Sequence, residues 1–240
     1  IGTLIAMTGV SAMAMNMFLP SLPSMTEYFQ TEYRLTQLSV ALFLAMNGVL
    51  QLVVGPLSDR YGRRPVTLAG FVVFLLGTLG CIYAPTIHVF LAFRAVQAAS
   101  VVAMVLGRAA IRDVHEQDQA ASMIGYVTMG MAVIPMVTPA LGGYLDQHFG
   151  WQATFWVYFV AGCGAFALIW ADFGETNLDR STSFLQQFRD LPELMTSPRF
   201  WGYAVICAAS SGAFFSYLGG APFVGSQIFG LTPAQLGLHF

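Results

Sequence analysis

The sequence predicts an all-α protein that crosses a membrane several times. Hydrophobic residues make up 56% of the chain and charged residues only 9%, whereas a soluble domain carries about 25% charged residues. Apolar runs of the roughly 20 residues that a helix needs to cross a bilayer recur along the whole chain. Because the bilayer core holds no water, each run has to be helical so that its backbone groups bond within the segment.

Seven of these runs are complete, and an eighth begins near the end of the chain. The eighth opens with Thr232-Pro233, a helix N-cap residue followed by proline at the first helical position. The first run is already apolar at Ile1, and we expect the natural N-terminus to lie upstream. The predicted spans are 1–22, 35–57, 66–84, 88–110, 121–145, 151–171 and 200–226.

The placement of arginine predicts the orientation of the spans. One side of the membrane carries only Arg34. The connections after spans two, four and six hold Arg60, Arg63, Arg64, Arg108, Arg112, Arg180, Arg189 and Arg199. Since positively charged loops stay in the cytoplasm, we expect these connections and the N-terminus to be cytoplasmic.

The longest polar stretch divides the chain into three parts. We expect an N-terminal six-helix bundle at 1–171, a cytoplasmic linker at 172–199, and the start of a second bundle at 200–240. The linker is interpreted either as a plain connection or as an amphipathic helix on the membrane surface. The apolar residues at helical spacing that favour the second interpretation are Phe184, Leu185, Phe188 and Leu191.

A charged turn joins the second and third spans. It reads Gly55-Pro56-Leu57-Ser58-Asp59-Arg60-Tyr61-Gly62-Arg63-Arg64 and resembles the signature loop of the major facilitator superfamily of secondary transporters. The resemblance implies that Asp59, Arg60, Arg63 and Arg64, together with Asp113 of the next cytoplasmic connection, form a latch that holds one conformation. The alternative is a simple anchor of positive charge on the cytoplasmic side.

A single arginine lies deep in the fourth span. Arg94-Ala95-Val96-Gln97-Ala98 resembles the fourth-helix motif of the same superfamily, with Ala98 where glycine is usual. An arginine inside a membrane span indicates a functional site, and the resemblance implies that Arg94 takes part in proton coupling. The alternative is a structural arginine that bonds backbone carbonyls or extends toward the interface.

The fifth span combines two prolines with two glycines. Pro135, Pro139, Gly142 and Gly143 resemble the Gly-Pro-x-x-Gly-Gly motif of exporters, with Thr138 in place of the first glycine. Prolines bend a helix and small residues allow close crossing; a mere kink is the alternative. Gly142 and Asp146, followed by Gly150, also repeat the spacing of Gly55, Asp59 and Gly62 on the other side of the membrane.

The first span gives the closest resemblance to a subfamily. Its segment Asn16-Met17-Phe18-Leu19-Pro20-Ser21-Leu22-Pro23 resembles the first helix of the bicyclomycin and chloramphenicol resistance (Bcr/CflA-like) exporters. Those relatives carry Asp where this chain has Asn16, and an amide cannot bind and release a proton. We expect the substrate cavity to be lined by Met13, Asn16, Met17, Gln97 and Tyr217.

The remaining reactive side chains give no site. Cys81, Cys163 and Cys207 lie in separate apolar runs, which is typical of inert buried thiols. The sequence shows no metal-ligand spacing and no catalytic cluster, so we expect no enzyme activity, no cofactor and no nucleic-acid partner.

Together, the resemblances imply the N-terminal six-helix bundle of a twelve-span transporter, with an inverted three-plus-three repeat, plus helix seven and the start of helix eight. The implied function is export of small apolar drugs across the bacterial inner membrane by proton antiport, performed by a monomer embedded in lipid. The alternatives are a metabolite transporter of the same fold, and a fragment that does not transport or that needs a partner chain.

Overall fold

The fold is built from helices throughout the computed structural model, which describes residues 2–177 and 195–239. The amphipathic helix predicted around 184–191 lies outside the described residues. The α-helices are α1 Gly2–Asn16, α2 Leu22–Tyr28, α3 Tyr33–Tyr61, α4 Arg63–Ile82, α5 Ile87–Gln97, α6 Val101–Val114, α7 Gln117–Phe149, α8 Trp151–Asp172, α9 Pro198–Gln227 and α10 Pro233–His239.

The all-α, polytopic prediction is confirmed. In the described parts of the chain, 7 helical segments are long and apolar enough to cross a membrane. The eighth begins at the predicted residue, because Thr232 and Gln235 cap α10 reciprocally. The Thr232 Oγ1 accepts from the Gln235 N–H at 3.4 Å, and the Gln235 Oε1 accepts from the Thr232 N–H at 3.0 Å.

Two spans are interrupted by short 3₁₀ turns, which the sequence did not predict. The first span breaks at Leu19–Ser21 between α1 and α2, and the fourth breaks at Ala98–Ser100 between α5 and α6. The two spans meet where the Ser11 Oγ donates to the Ser100 Oγ at 3.3 Å. Such mid-span 3₁₀ turns often mark hinges or functional positions.

Two glycines make the tightest connections between long helices. Gly62 separates α3 from α4 with φ 102° and ψ 154°, and Gly150 separates α7 from α8 with φ 82° and ψ 163°. This backbone region is essentially restricted to glycine. The chain reverses its direction at each connection between spans. The Gly62 turn follows the second span and the Gly150 turn follows the fifth, so the two turns lie at opposite ends of the bundle.

The two ends of the bundle differ in chemistry. At the Arg-rich end, where α3, α6 and α8 finish, Arg63 reaches Asp113, and the Thr3 hydroxyl bonds the Asp172 carboxylate. At the opposite end, aromatic rings pack around Trp151, which is 3% exposed. The rings in contact with Trp151 are those of Tyr28, Phe29, Phe90 and Phe155.

Helices α9 and α10 contact the six-span bundle at the opposite end. There the Tyr33 hydroxyl donates to the Gly219 carbonyl at 2.9 Å, and α10 packs along α7. The beginning of α9 is exposed, with Tyr203 75% exposed and Ile206 67% exposed. The space between α9 and the bundle therefore opens toward the Arg-rich end among the described residues.

Candidate functional site: a buried arginine and a charged turn

Arg94 is completely buried near the end of α5. Its Nη2 donates to the Ala14 carbonyl of α1 at 2.8 Å, and its Nη1 donates to the Oε1 of Gln97. In the described chain, no carboxylate forms an ion pair with this guanidinium. The positive charge is therefore held by uncharged groups.

Aromatic rings supply much of the contact with Arg94. Its guanidinium carbon lies 4.1 Å from the ring centroid of Phe18 and 4.2 Å from that of Phe43, with Phe155 at 5.9 Å. Each such contact contributes about 2 kcal/mol when it is desolvated. Because these rings come from the α1 break, α3 and α8, Arg94 connects four parts of the bundle.

Gln97 extends the network to α4. Its Nε2 donates to the Thr78 Oγ1 at 2.8 Å, while its Oε1 accepts from Arg94. Gly77 permits this approach, since a Cβ there would lie 2.7 Å from the Gln97 backbone nitrogen. The hydrogen bond from Arg94 to the Ala14 carbonyl fits the interpretation of Arg94 as a structural residue. The contact of Arg94 with the α1 break fits the interpretation that Arg94 takes part in coupling.

The predicted cavity residues of the first span lie at the α1 break. Asn16 is buried, and its Nδ2 donates to the Ala12 carbonyl at 3.0 Å. Met17 has no exposed surface, and Met13 is partly buried against the core. Asn16 follows Ala14, the acceptor of Arg94, by two residues.

Tyr217 is not brought to that position. It lies on α9, is 62% exposed, and lines a hollow of about 780 Å³ between α9 and α10. The walls of this hollow are mostly apolar and include Val224 and Leu236. The described structure therefore places Tyr217 apart from Met13, Asn16 and Gln97.

The charged turn assembles around Arg63. Its side chain contacts the Asp59 carboxylate at 2.5 Å and the Asp113 carboxylate at 3.0 Å, and its Nη1 donates to the Ser58 Oγ at 2.5 Å. The predicted partnership with Asp113 thus involves Arg63 among the arginines of this turn. Arg60 lies over the Tyr61 ring at 5.4 Å.

Arg64 contacts α8 instead. Its Nη2 donates to the Trp170 carbonyl at 2.7 Å, and its guanidinium carbon lies 5.8 Å from the Trp170 ring centroid. Arginine and tryptophan at the end of a membrane span form a typical interfacial contact. Arg64 therefore fastens the start of α4 to the end of α8.

Glu175 completes the turn and was not among the predicted site residues. Its carboxylate accepts from the backbone N–H of Arg63 at 2.8 Å and from that of Arg64 at 3.4 Å, at the first residues of α4. An acidic group at a helix N-terminus satisfies free N–H groups and the helix dipole. A separation of 112 residues between partners leaves no local signal of this contact.

Two neighbours of Glu175 also contact this region. The Thr176 Oγ1 donates to the Asp113 Oδ2 at 3.1 Å, and the Asn177 Nδ2 donates to the Asp59 carbonyl at 3.0 Å. The chain that follows α8 therefore closes over the charged turn. The site joins the ends of α3, α6 and α8 with the start of α4.

The fifth-span motif lies on α7 and is used for close contact. Pro135 and Pro139 are both inside α7, which continues through them. A Cβ on Gly142 would run into the Met17 carbonyl, and one on Gly143 would run into the Pro233 carbonyl. These glycines let α7 touch the backbones of the first span and of α10.

Asp146 is a buried acid that follows the predicted fifth span, 121–145, and lies inside α7. It is 7% exposed, near the end of α7, and its Oδ2 accepts from the Ser24 hydroxyl at 2.6 Å. Its position four residues after Gly142 was the available signal. Asp146 thereby connects α7 with α2 at the opposite end from Arg63.

A polytopic helical bundle with a buried intramembrane arginine and a charged turn between its second and third spans defines a secondary-transporter type of protein. The sequence matches the Major Facilitator Superfamily over residues 4–240. The chain belongs to this superfamily, and the predicted resemblance is confirmed.

Curated relatives carry drug-resistance names. The chain is 32% identical over 215 residues to a chloramphenicol resistance protein of Pseudomonas aeruginosa, a match covering 89% of this chain and 51% of that protein. It is 28% identical over 229 residues to a bicyclomycin resistance protein homologue of Haemophilus influenzae, covering 94% and 58% respectively. The chain thus spans about half the length of the curated relatives it matches.

Solved structures agree with the fold. A bacterial homologue of the human lysosomal transporter Spinster, in an inward-facing and occupied conformation, superposes with a TM-score of 0.77 at 14% identity. The match covers 99% of this chain and 56% of that one. At this identity the likeness concerns the fold alone.

Proposed function

We propose that the full-length protein exports small, mostly apolar drugs across the bacterial inner membrane, coupled to proton entry. The observation that carries this proposal is the buried Arg94, which bonds the Ala14 carbonyl and stacks on Phe18 at the break of the first span. The resistance names of the relatives support the drug substrate class.

In this proposal Arg94 couples by position. A guanidinium stays protonated in proteins, and Asn16 cannot carry a proton, so the proton is carried by another group. Arg94 transmits the conformational change between the spans because its side chain contacts the α1 break and Gln97. Gln97 in turn contacts Thr78 on α4. Asn16, Met13, Met17 and Gln97 contribute the polar and soft apolar lining for substrate.

The charged turn acts as the latch at the cytoplasmic side. We place the Arg-rich end in the cytoplasm by the positive-inside rule. Arg63 pairs with Asp59 and Asp113, and Glu175 binds the start of α4. Together these contacts fasten four helix ends while the opposite end of the bundle is closed. In this proposal the chain comprises a bundle at 1–171, a linker at 172–199 and the start of the second bundle from 200 onward.

Export is tested with the full-length protein in cells that lack their main efflux pumps. We expect wild type to lower chloramphenicol accumulation, and both a protonophore and Arg94→Ala to abolish this effect. Arg34→Ala is the matched control, because the Arg34 side chain is 83% exposed and pairs with a neighbouring surface acid, Glu32. Accumulation equal to the empty-vector control, in correctly inserted wild-type protein, would contradict drug export.

A metabolite transporter of the same fold is the second candidate. The amide of Asn16 favours it, since an amide suits hydrogen bonding to a neutral polar solute. This function predicts wild-type accumulation of chloramphenicol equal to that of the vector control, with uptake or efflux of one narrow solute class.

A further inference from the structure

A hollow of about 270 Å³ lies between α3 and α9. None of the residues predicted to line the substrate cavity lines this hollow, and every residue in its walls is uncharged. Each helix contributes one wall, so the hollow separates the six-span bundle from the seventh span. The walls include Gln37, Ala41 and Leu44 from α3, and Gly212, Phe215 and Ser216 from α9.

The two helices touch at one end of this hollow. The Tyr33 hydroxyl donates to the Gly219 carbonyl at 2.9 Å, and the ring centroids of Tyr33 and Phe223 lie 4.8 Å apart. Tyr33 precedes Gln37 by four residues, so the two side chains lie on the same face of α3, one turn apart. The contact of Tyr33 with α9 therefore closes the hollow toward the end opposite to Arg63.

Small residues leave space on the other side of that contact. Ala41 is exposed on α3. Among the described residues, no atom beyond its own stretch of helix lies within 4 Å of the Cβ position of Gly212 on α9. Because the beginning of α9 is also exposed, the hollow opens toward the Arg-rich end. By the positive-inside rule this is the cytoplasmic side, from which an exported molecule arrives.

Each wall carries one hydrogen-bonding side chain, the amide of Gln37 and the hydroxyl of Ser216. The amide extends toward α9, since its Nε2 lies 3.0 Å from the position that a Cβ on Gly219 would take. Within the described parts of the chain neither side chain forms a hydrogen bond, so both are available to a ligand. Leu44 and Phe215 supply apolar surface beside them.

We propose that this hollow binds uncharged small molecules that combine an apolar body with a hydrogen-bonding group. The proposal rests on the proposed export function and names a substrate site for it. A charged molecule would lose its hydration there without gaining an ion pair, whereas apolar walls with a few polar groups suit a neutral one. Because the ligand contacts both α3 and α9, its binding favours the conformation in which these spans lie close together.

Binding of chloramphenicol to the purified full-length protein tests the site. Chloramphenicol is uncharged and carries hydroxyl and amide groups on an aromatic body. Gln37→Leu and Ser216→Ala should each weaken its binding about fivefold, through the loss of one neutral hydrogen bond. Ser216→Thr keeps the hydroxyl and should bind like wild type. Gln147→Leu is the control for Gln37→Leu, because Gln147 is exposed near the end of α7 and does not line the hollow.

A further variant tests the space rather than the polar groups. Ala41→Phe fills the hollow from the α3 wall and leaves Gln37 and Ser216 in place. We expect it to weaken chloramphenicol binding more than either polar variant does, since the ring takes up the volume that the ligand needs. Thermal unfolding of each variant in the same detergent checks the fold, and Ala41→Phe decides the question if a polar variant is unstable.

Binding and transport together separate the site from drug export. Wild-type binding that is absent, or that is unchanged in Gln37→Leu, Ser216→Ala and Ala41→Phe, overturns the site. If wild type lowers chloramphenicol accumulation in pump-deficient cells while these variants bind the drug unchanged, drug export stands without this site. If the variants lose binding but wild type does not lower accumulation, the site stands and drug export fails.

Discussion

The turns at Gly62 and Gly150 share one backbone conformation at opposite ends of the bundle. The acidic side chains beside them, Asp59 and Asp146, are held by different kinds of contact. In both turns, the glycine N–H bonds the carbonyl four residues earlier, that of Ser58 at 2.9 Å or that of Asp146 at 3.0 Å. The Asp59 carboxylate is paired with an arginine, whereas the Asp146 carboxylate is buried and bonded by a serine hydroxyl.

The difference separates an end held by charge from an end held by packing. At the Gly62 turn, the Asp59 and Asp113 side chains are 25% and 24% exposed, so their ion pairs with Arg63 are partly screened by water. At the Gly150 turn, the next residue is Trp151, which is buried among aromatic rings. Ion pairs of the first kind can be exchanged at little cost during a conformational cycle, and an aromatic cluster cannot.

The largest effect is expected at the glycines themselves. Gly62→Ala should lower the free energy of unfolding by about 3 kcal/mol and Gly150→Ala by about 2 kcal/mol, because both backbones are strained for alanine. The difference arises because a Cβ at Gly62 also meets the Glu175 carboxyl carbon at 2.9 Å, whereas at Gly150 it meets only the Gln152 Oε1 at 3.3 Å. Equilibrium unfolding in mixed micelles measures both values.

Gly164→Ala is the control for the glycine pair. Gly164 lies within α8, and among the described residues no atom beyond its own stretch of helix lies within 4 Å of its Cβ position. We expect this variant to be neutral or slightly stabilising. If Gly62→Ala and Gly150→Ala lose no more free energy of unfolding than Gly164→Ala, the prediction of backbone strain is contradicted.

The next effect concerns the buried acid of the Gly150 turn. Ser24→Ala removes a donor to the Asp146 carboxylate and should cost about 2 kcal/mol, as for other hydrogen bonds to buried charged groups. The control Ser226→Ala removes an exposed hydroxyl that bonds the Phe223 carbonyl within α9, and should change little. Thermal unfolding of the two variants in one detergent compares them, and equal melting temperatures would refute the prediction.

Capping of α4 by Glu175 should have a smaller effect. Glu175→Gln keeps the shape but removes the negative charge at the helix N-terminus, and we expect a loss of about 1 kcal/mol. Glu116→Gln is the matched control, because Glu116 occupies the N-cap position of α7 without a side-chain capping bond. The two variants are compared by unfolding at low and high salt. An identical loss in both would argue against the cap.

The smallest effect is expected for the ion pair between Arg63 and Asp113. A double-mutant cycle with Arg63→Ala and Asp113→Ala should give a coupling of about 0.5 kcal/mol that shrinks as salt is added. A coupling of several kcal/mol, insensitive to salt, would mean that the Arg-rich end is held as rigidly as the Gly150 turn.

Much of the fold could be predicted from the sequence because the bilayer imposes a simple rule. Each long apolar run became a helix, and Thr232 marked the start of α10 through local capping chemistry. The same held for Arg94, since a charge inside an apolar run is visible in the sequence. Its partners were less accessible, because the Ala14 carbonyl and the Phe43 ring contribute through the packing of distant segments.

Other features depend on tertiary contacts that leave no local signal. The 3₁₀ turn at Leu19–Ser21 is the exception, because Pro20 and Pro23 are local signals of a helix break within a span that was predicted as continuous. Glu175 seemed an ordinary linker residue, because its role requires α4 to begin beside the end of α8. Asp146 falls outside the predicted fifth span, because the sequence does not show that α7 continues to Phe149 and buries it.

The contact between Arg94 and Ala14 has a consequence for biosynthesis. An arginine near the middle of a span costs about 2.5–3.5 kcal/mol when that span enters the bilayer alone. The carbonyl and the ring that compensate for it belong to the first span, made some 80 residues earlier. We therefore expect the insertion cost of the fourth span to be fully compensated only when that span packs against the first.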